Sequence, residues 1–232
     1  MVHEAELIFS WLKQVAAERQ ACTADPELGR RVHALKAFQH RRFAHTYADL
    51  LSAPQYGAAA RFFLDELYGP VDFTRRDQQF ERTVPALTRL FSSDLVNTVS
   101  ALTELHALSE RLDTSMGRAL SVLPVDPRSY ANAWREVGQP DLRERQIALT
   151  VAMGRALERH TRSRILRAAL HAMRRPSSIA GLGDLQRFLE VGFDTFRGIE
   201  DPKWFIEEVG RRERKLASQL FAMDLSGIEG FP

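Results

Sequence analysis

Apolar residues recur every three to four positions along almost the whole of this 232-residue chain, and runs alternating apolar with polar are nearly absent. A period near 3.6 gathers apolar side chains into one stripe on a helix, whereas a half-buried strand needs period two. The chain is therefore expected to be all-α. The expected architecture is a single-domain multi-helix bundle of about eight to nine helices over residues 1–232, with 124–140 as the place where it would subdivide. Hydrophobic residues make up 44% of the sequence and charged residues 27%. That is enough apolar material for a core without staples, and it excludes collagen-like, disordered and disulfide-scaffold classes. No apolar stretch reaches the roughly 18 residues that a membrane-spanning helix needs.

The helix boundaries are marked by caps and breakers. Residues 3–21 read as a first helix with Ile8, Leu12 and Val15 on one stripe. It opens with acids and lacks a continuous apolar run, so it reads as an amphipathic helix and not as a signal peptide. Asp25-Pro26 supplies an N-cap and a first-turn proline for a second helix running toward Leu51. Pro54 opens a third, which the Gly69-Pro70 pair ends. A fourth starts near Thr74, with Thr74 and Asp77 in a capping relation, and Pro85 is expected to kink or break it. The fifth, about 94–123, carries a seam running Leu95, Val99, Leu102, Leu105, Leu108, Leu112, Met116, Leu120 and Leu123, suited to a central strut. Asp126-Pro127 opens a short sixth helix that ends at Gly138. Residues 141–175 follow, broken near Ser163. The last two helices are expected at 184–198 and from Asp201-Pro202 onward.

Lysine plus arginine number 32 and aspartate plus glutamate 30, a net charge of +2. No overall field draws the protein toward nucleic acid or an anionic surface. Only four of those cations are lysines. Arginine is permanently charged and binds carboxylates in a two-pronged fork, which suits ion pairs between helices. The lone Cys22 cannot staple the fold, in keeping with a reducing cytoplasm.

The densest polar motif is FFLDELYGPVDFTRRD, residues 62–77. Asp65 and Glu66 fall in the last turn of a helix, where negative charge opposes the helix dipole. Asp72 and Asp77 fall at the start of the next, where it is favoured. Arg75, Arg76 and Arg82 stand ready to offset the acids, and Tyr68-Gly69-Pro70 makes a rigid turn. One reading is a structural corner of two helices clasped by arginine–carboxylate pairs. The other is a ligand-binding pocket in which Asp65, Glu66, Tyr68, Asp72, Arg75, Arg76, Asp77 and Arg82 converge.

This stretch resembles the signature FFL-x-x-LYGP-x-DF-x-x-RD of an uncharacterised bacterial all-helical family, a domain of unknown function. TYADLL (46–51), GLGDLQRFLEVGF (181–193) and RRERKL (211–216) are similar to the same family. The resemblance spans most of the chain. It implies an all-helical bacterial protein and brings no activity, cofactor or partner with it.

The spacings of familiar chemistries are missing. There is no Glu-x-x-His pair for a di-iron bundle, no His-Glu-x-x-His zinc motif, no nucleophile elbow and no phosphate loop. No metal or cofactor is assigned. His33, His40 and His45 share a helix at spacings unsuited to a metal pair. His106, beside the apolar seam, reads as a hydrogen-bonded structural residue, although a haem ligand would occupy a similar place. Residues 155–175 hold seven arginines and one acid but no aromatic side chain for stacking on bases, so nucleic acid is disfavoured and a solvated, ion-paired face expected. These features point to a cytoplasmic, non-catalytic helical binding or interaction protein organised around the 62–82 hairpin. The alternative is an enzyme or a haem or metal sensor with a polar pocket at Asp65, Glu66, Tyr68 and Arg75. Whether its partner is a protein or a small ligand is left open, and no membrane partner is expected.

Overall fold

A computed structural model describes residues 2–66 and 74–227. Among these residues there are twelve α-helices, one 3-10 turn and no strand. They are α1 (Val2–Ala24), α2 (Pro26–Thr46), α3 (Ala48–Ser52), α4 (Gly57–Glu66), α5 (Thr74–Leu90) and α6 (Ser93–Ala119). Then come α7 (Pro127–Val137), α8 (Pro140–Thr161), α9 (Arg164–Ala172), α10 (Arg174–Ile179), α11 (Gly183–Arg197) and α12 (Pro202–Ala222). Tyr68, Gly69, Pro70, Asp72 and Phe73, central to the expected corner, lie outside the described residues.

Twelve helices exceed the eight or nine expected because, besides the expected break near Ser163, two interruptions at Tyr47 and Met173 fall where apolar spacing gives no warning. The second expected helix divides at Tyr47, whose ring packs 4.4 Å from Phe43 and whose hydroxyl reaches Glu213 of α12. The stretch 141–175 divides twice. Ser163 caps α9 by accepting from the Leu166 amide. Pro176, with no amide hydrogen to continue the ladder of α9, sits in the first turn of α10. Pro85, in contrast, does not break α5, which continues through it to Leu90. The carbonyl that a proline leaves unpaired belongs here to exposed Glu81, where water can satisfy it, while fully buried Val84 anchors the same turn.

α6 is the strut its seam predicts, with α1, α2, α7 and α8 packed along it. Its apolar seam does not run unbroken to Leu123. The helix ends at Leu120 in extended backbone, and Leu123 is exposed. One core cluster joins α2, α6, α7 and α12 through Phe38, Met116, Tyr130 and Leu220. A second joins α2, α4 and α12 with the end of α11, through Phe43, Phe63, Phe196 and Phe205. Smaller clusters pin α1 and α5 to α6 through Ile8 and Val84, and α8 to α6 through Leu112 and Leu149.

α8 and α12 lie close enough for reciprocal glycines. A Cβ on Gly154 would stand 2.8 Å from Ile206, and one on Gly210 would stand 2.7 Å from Val151. The described residues contain no helix long and apolar enough to cross a membrane.

Candidate functional site

The described part of the 62–82 hairpin is clasped, and by different partners from those its sequence suggests. Arg76 donates to the Glu66 carbonyl at 3.2 Å and approaches its carboxylate at 3.4 Å, so one pair does bridge α4 and α5. The guanidinium also lies 4.2 Å over the Phe188 ring of α11. Arg75 is 82% exposed and turns to Asp184 at the start of α11, 3.1 Å away. Arg82 donates to the Ala180 carbonyl just before it. Asp65 is 63% exposed and has His40 at 3.7 Å. Buried Gln79 completes the joint. Its amide donates to Asp184, and its carbonyl oxygen accepts from the Leu185 amide. The described parts of 62–77, which with 181–193 carry most of the resemblance, thus pack on the start of α11. Asp65, Glu66, Arg75 and Arg82 do not converge, and among the described members of the expected set Arg76 and Asp77 reach the interior space described next.

That space is a cavity of about 280 Å³ within the bundle, partly open to solvent. α6 lines it along one stripe whose chemistry changes with height. Val99, Leu102 and Leu105 are apolar, and His106, Ser109, Glu110 and Asp113 are polar. Fourteen residues separate Val99 from Asp113, about 21 Å of helix. α8 runs antiparallel beside it and repeats the change, with Arg143 and Gln146 at the polar level and Ile147 and Val151 beyond. Gln146 donates to Ser109 at 2.9 Å, which fixes the register of the two polar levels. Phe188 and Leu189 of α11 close the apolar end, and α2, α7 and α12 wall the polar end.

The polar wall contains two charge networks. In the first, the Asp77 Oδ2 atom lies 2.9 Å from both Arg19 and His106. An ionised carboxylate only accepts, so His106 Nε2 carries its proton toward Asp77. The approach of Arg19 to the same nitrogen at 3.3 Å is then proximity of charge. Arg19 also reaches Glu110 at 3.3 Å, and Lys36 donates to Glu110 at 2.8 Å. Burial works against ionisation of Asp77, yet the His106 hydrogen bond and the charges of His106, Arg19 and Arg76 hold its carboxyl below the usual range. Glu110 is likewise held down, with burial outweighed chiefly by Lys36.

In the second network, Arg42 donates to Glu213 at 2.7 Å, and the Tyr47 hydroxyl donates to the same oxygen at 2.8 Å. Asp113 accepts from Gln39 at 2.9 Å, and burial pushes its carboxyl up. Arg143 is 3% exposed and is in ion-pair contact with no carboxylate among the described residues, although the charge of Asp113 acts on it from farther off. It stacks 3.8 Å over Trp134, contacts the Met116 sulfur at 3.0 Å and faces the Gln146 carbonyl oxygen at 3.4 Å. Its Nε–H has no acceptor.

His106 is hydrogen-bonded, as its place beside the seam suggests. Among the described residues no group of three or more histidines, cysteines or acids is arranged to hold a metal. Of the seven arginines between 155 and 175, four have carboxylate partners: Arg159 with Asp94, Arg162 with Glu158, Arg167 with Asp194 and Arg174 with Glu190. Sequence reasoning missed Arg42, Glu110, Asp113, Arg143 and Glu213. The signal it passed over was a carboxylate at 110 and another at 113 flanking the apolar seam positions Leu108, Leu112 and Met116.

The model of one family matches residues 18–226, that of a domain of unknown function (DUF8198). No curated protein and no solved structure matches the chain.

Proposed function

This chain belongs to the DUF8198 family, and we propose that it is a bacterial, cytoplasmic, single-domain protein that binds a small amphipathic organic molecule inside its helical bundle. The carrying observation is the 280 Å³ cavity whose α6 wall passes from leucine to ionisable side chains. Pockets for small ligands are mostly apolar with a few placed polar groups that fix orientation, and this one has that form. A cavity of about 150 Å³ accepts a benzene ring, so this one suits roughly a dozen non-hydrogen atoms. Native mass spectrometry of freshly purified protein, with and without added octanoate, 1-octanol or indole, tests the reading. One-to-one uptake is expected, and it is lost when Leu105→Trp fills the apolar end while far-ultraviolet circular dichroism stays unchanged. Uptake of none of the three probes, or uptake indifferent to Leu105→Trp, overturns it.

A second reading, an interaction module, draws on strongly exposed Ile165 and Ile179 of α9 and α10. Exposed apolar side chains of that size favour a macromolecular partner when they form a contiguous patch.

A further inference from the structure

We propose that Arg143 is the anchor for the carboxylate of a monoanionic amphipathic acid, whose apolar body points along α6 toward Leu105. The proposal rests on the ligand-binding reading above and assigns the charge class of the ligand. A guanidinium stays protonated in any protein environment. Burying it without a counter-ion costs several kcal/mol, so buried arginines are ordinarily paired. Arg42, on the same wall, obeys the rule through Glu213 at 2.7 Å. Arg143 does not. Trp134 covers one of its faces, a thioether and a long contact to Gln146 occupy two N–H groups, and its Nε–H is unmatched.

Of the other ionic groups on this wall, Asp113 accepts from Gln39 and acts on Arg143 only from beyond ion-pair distance. Lys36 serves Glu110, and Glu213 serves Arg42 and Tyr47. One buried cation with no carboxylate in contact, at the polar end of the cavity, matches one carboxylate, which a guanidinium binds in a two-pronged fork. Asp113, on the same wall, disfavours a ligand of higher negative charge. Leu105, where the apolar stretch of α6 begins, stands eight residues or about 12 Å of helix from Asp113, so the chain of a medium-length acid points toward Leu105 when its carboxylate meets Arg143.

Isothermal titration of the full chain with octanoate, 1-octanol and octylamine tests this, in the wild type and in Arg143→Gln and Arg143→Lys. The wild type is expected to bind octanoate about tenfold or more tightly over 1-octanol, the scale of a charged hydrogen bond. Octylamine is expected to bind more weakly than either. Arg143→Gln should level octanoate with 1-octanol, and Arg143→Lys should keep part of the preference. Equal binding of acid and alcohol by the wild type sinks the charge assignment but leaves the cavity reading standing. A preference that survives in folded Arg143→Gln does the same. Binding of no probe by the wild type sinks both. The wild-type comparison needs no variant to fold.

Discussion

Arg75 and Arg76 are adjacent in the motif and alike in composition, yet their surroundings give them different weight. Arg76 is largely buried against Phe188 and bonded to the last turn of α4, whereas Arg75 is mostly in solvent. Arg76→Ala removes a partly buried pair and a cation–π contact and should cost about 2–3 kcal/mol in chemical denaturation. Arg75→Ala, measured in the same way, should cost about 0.5 kcal/mol or less, as exposed ion pairs do. Arg143 makes the opposite prediction. A buried cation without a carboxylate lowers stability, and stacking on Trp134 returns only about 2 kcal/mol. Arg143→Met should therefore melt at or above the wild-type temperature in the absence of ligand, while losing octanoate. A clear fall in its melting temperature would show that the guanidinium is fully compensated within the protein. None of this contrast is present in the residue letters, since arginines look equivalent until their neighbours are placed.

Helices as whole elements show where period and capping suffice and where packing intervenes. Asp126 and Ser129 form a reciprocal cap at the start of α7, and Gly138 takes a positive φ at its end, so both boundaries follow from local chemistry. The extra breaks at Tyr47 and Met173 are different, because the apolar stripe continues past them. The α8–α12 contact offers a direct test of close packing between elements. In wild type, Gly210→Ala gains helix propensity of about 1 kcal/mol but drives a methyl into Val151, a clash that costs about 1–3 kcal/mol. The net effect should be destabilising. In a Val151→Ala background the obstacle is gone, and the same substitution should stabilise by about 1 kcal/mol. Denaturant melts of the four proteins read this change of sign, and additive effects would contradict the packing argument.

At the scale of the molecule, acid stability follows from the carboxylates that the fold has paired. Glu208 is the clearest case. Hydrogen bonds from Arg211 and Arg212 hold its carboxyl down at about 2, against an ordinary 4.5. A carboxyl lowered by folding contributes stability that is fully present above about 4.5 and is lost as pH falls toward about 2. Asp49, bonded by the same Arg212 across from α3, is lowered too, and so are Asp77 and Glu110 at the cavity. Asp113 acts in the opposite sense, since burial raises its carboxyl and protonation favours the fold. The melting temperature should therefore fall steadily below pH 4.5, and Glu208→Gln should flatten part of that fall. A variant whose melting temperature drops as steeply as wild type between pH 4.5 and 2 would contradict the assignment.

The sequence by itself determined that this protein is helical, where most helices start and stop, and which family-like segments set it apart. Those properties depend on periodicity, caps, glycine and proline, all of which act within a few residues along the chain. Only the tertiary structure decided which charges meet. Arg75 found Asp184, more than a hundred positions away, and Gln79 found the amide of Leu185. The cavity lies beyond the reach of any motif because its walls are drawn from α1, α2, α4, α5, α6, α7, α8, α11 and α12. Its chemistry arises where one apolar stripe turns polar opposite another. A side chain's letter carries its charge, but burial and the distance to a counter-charge decide what that charge does, and both exist only once the helices have packed.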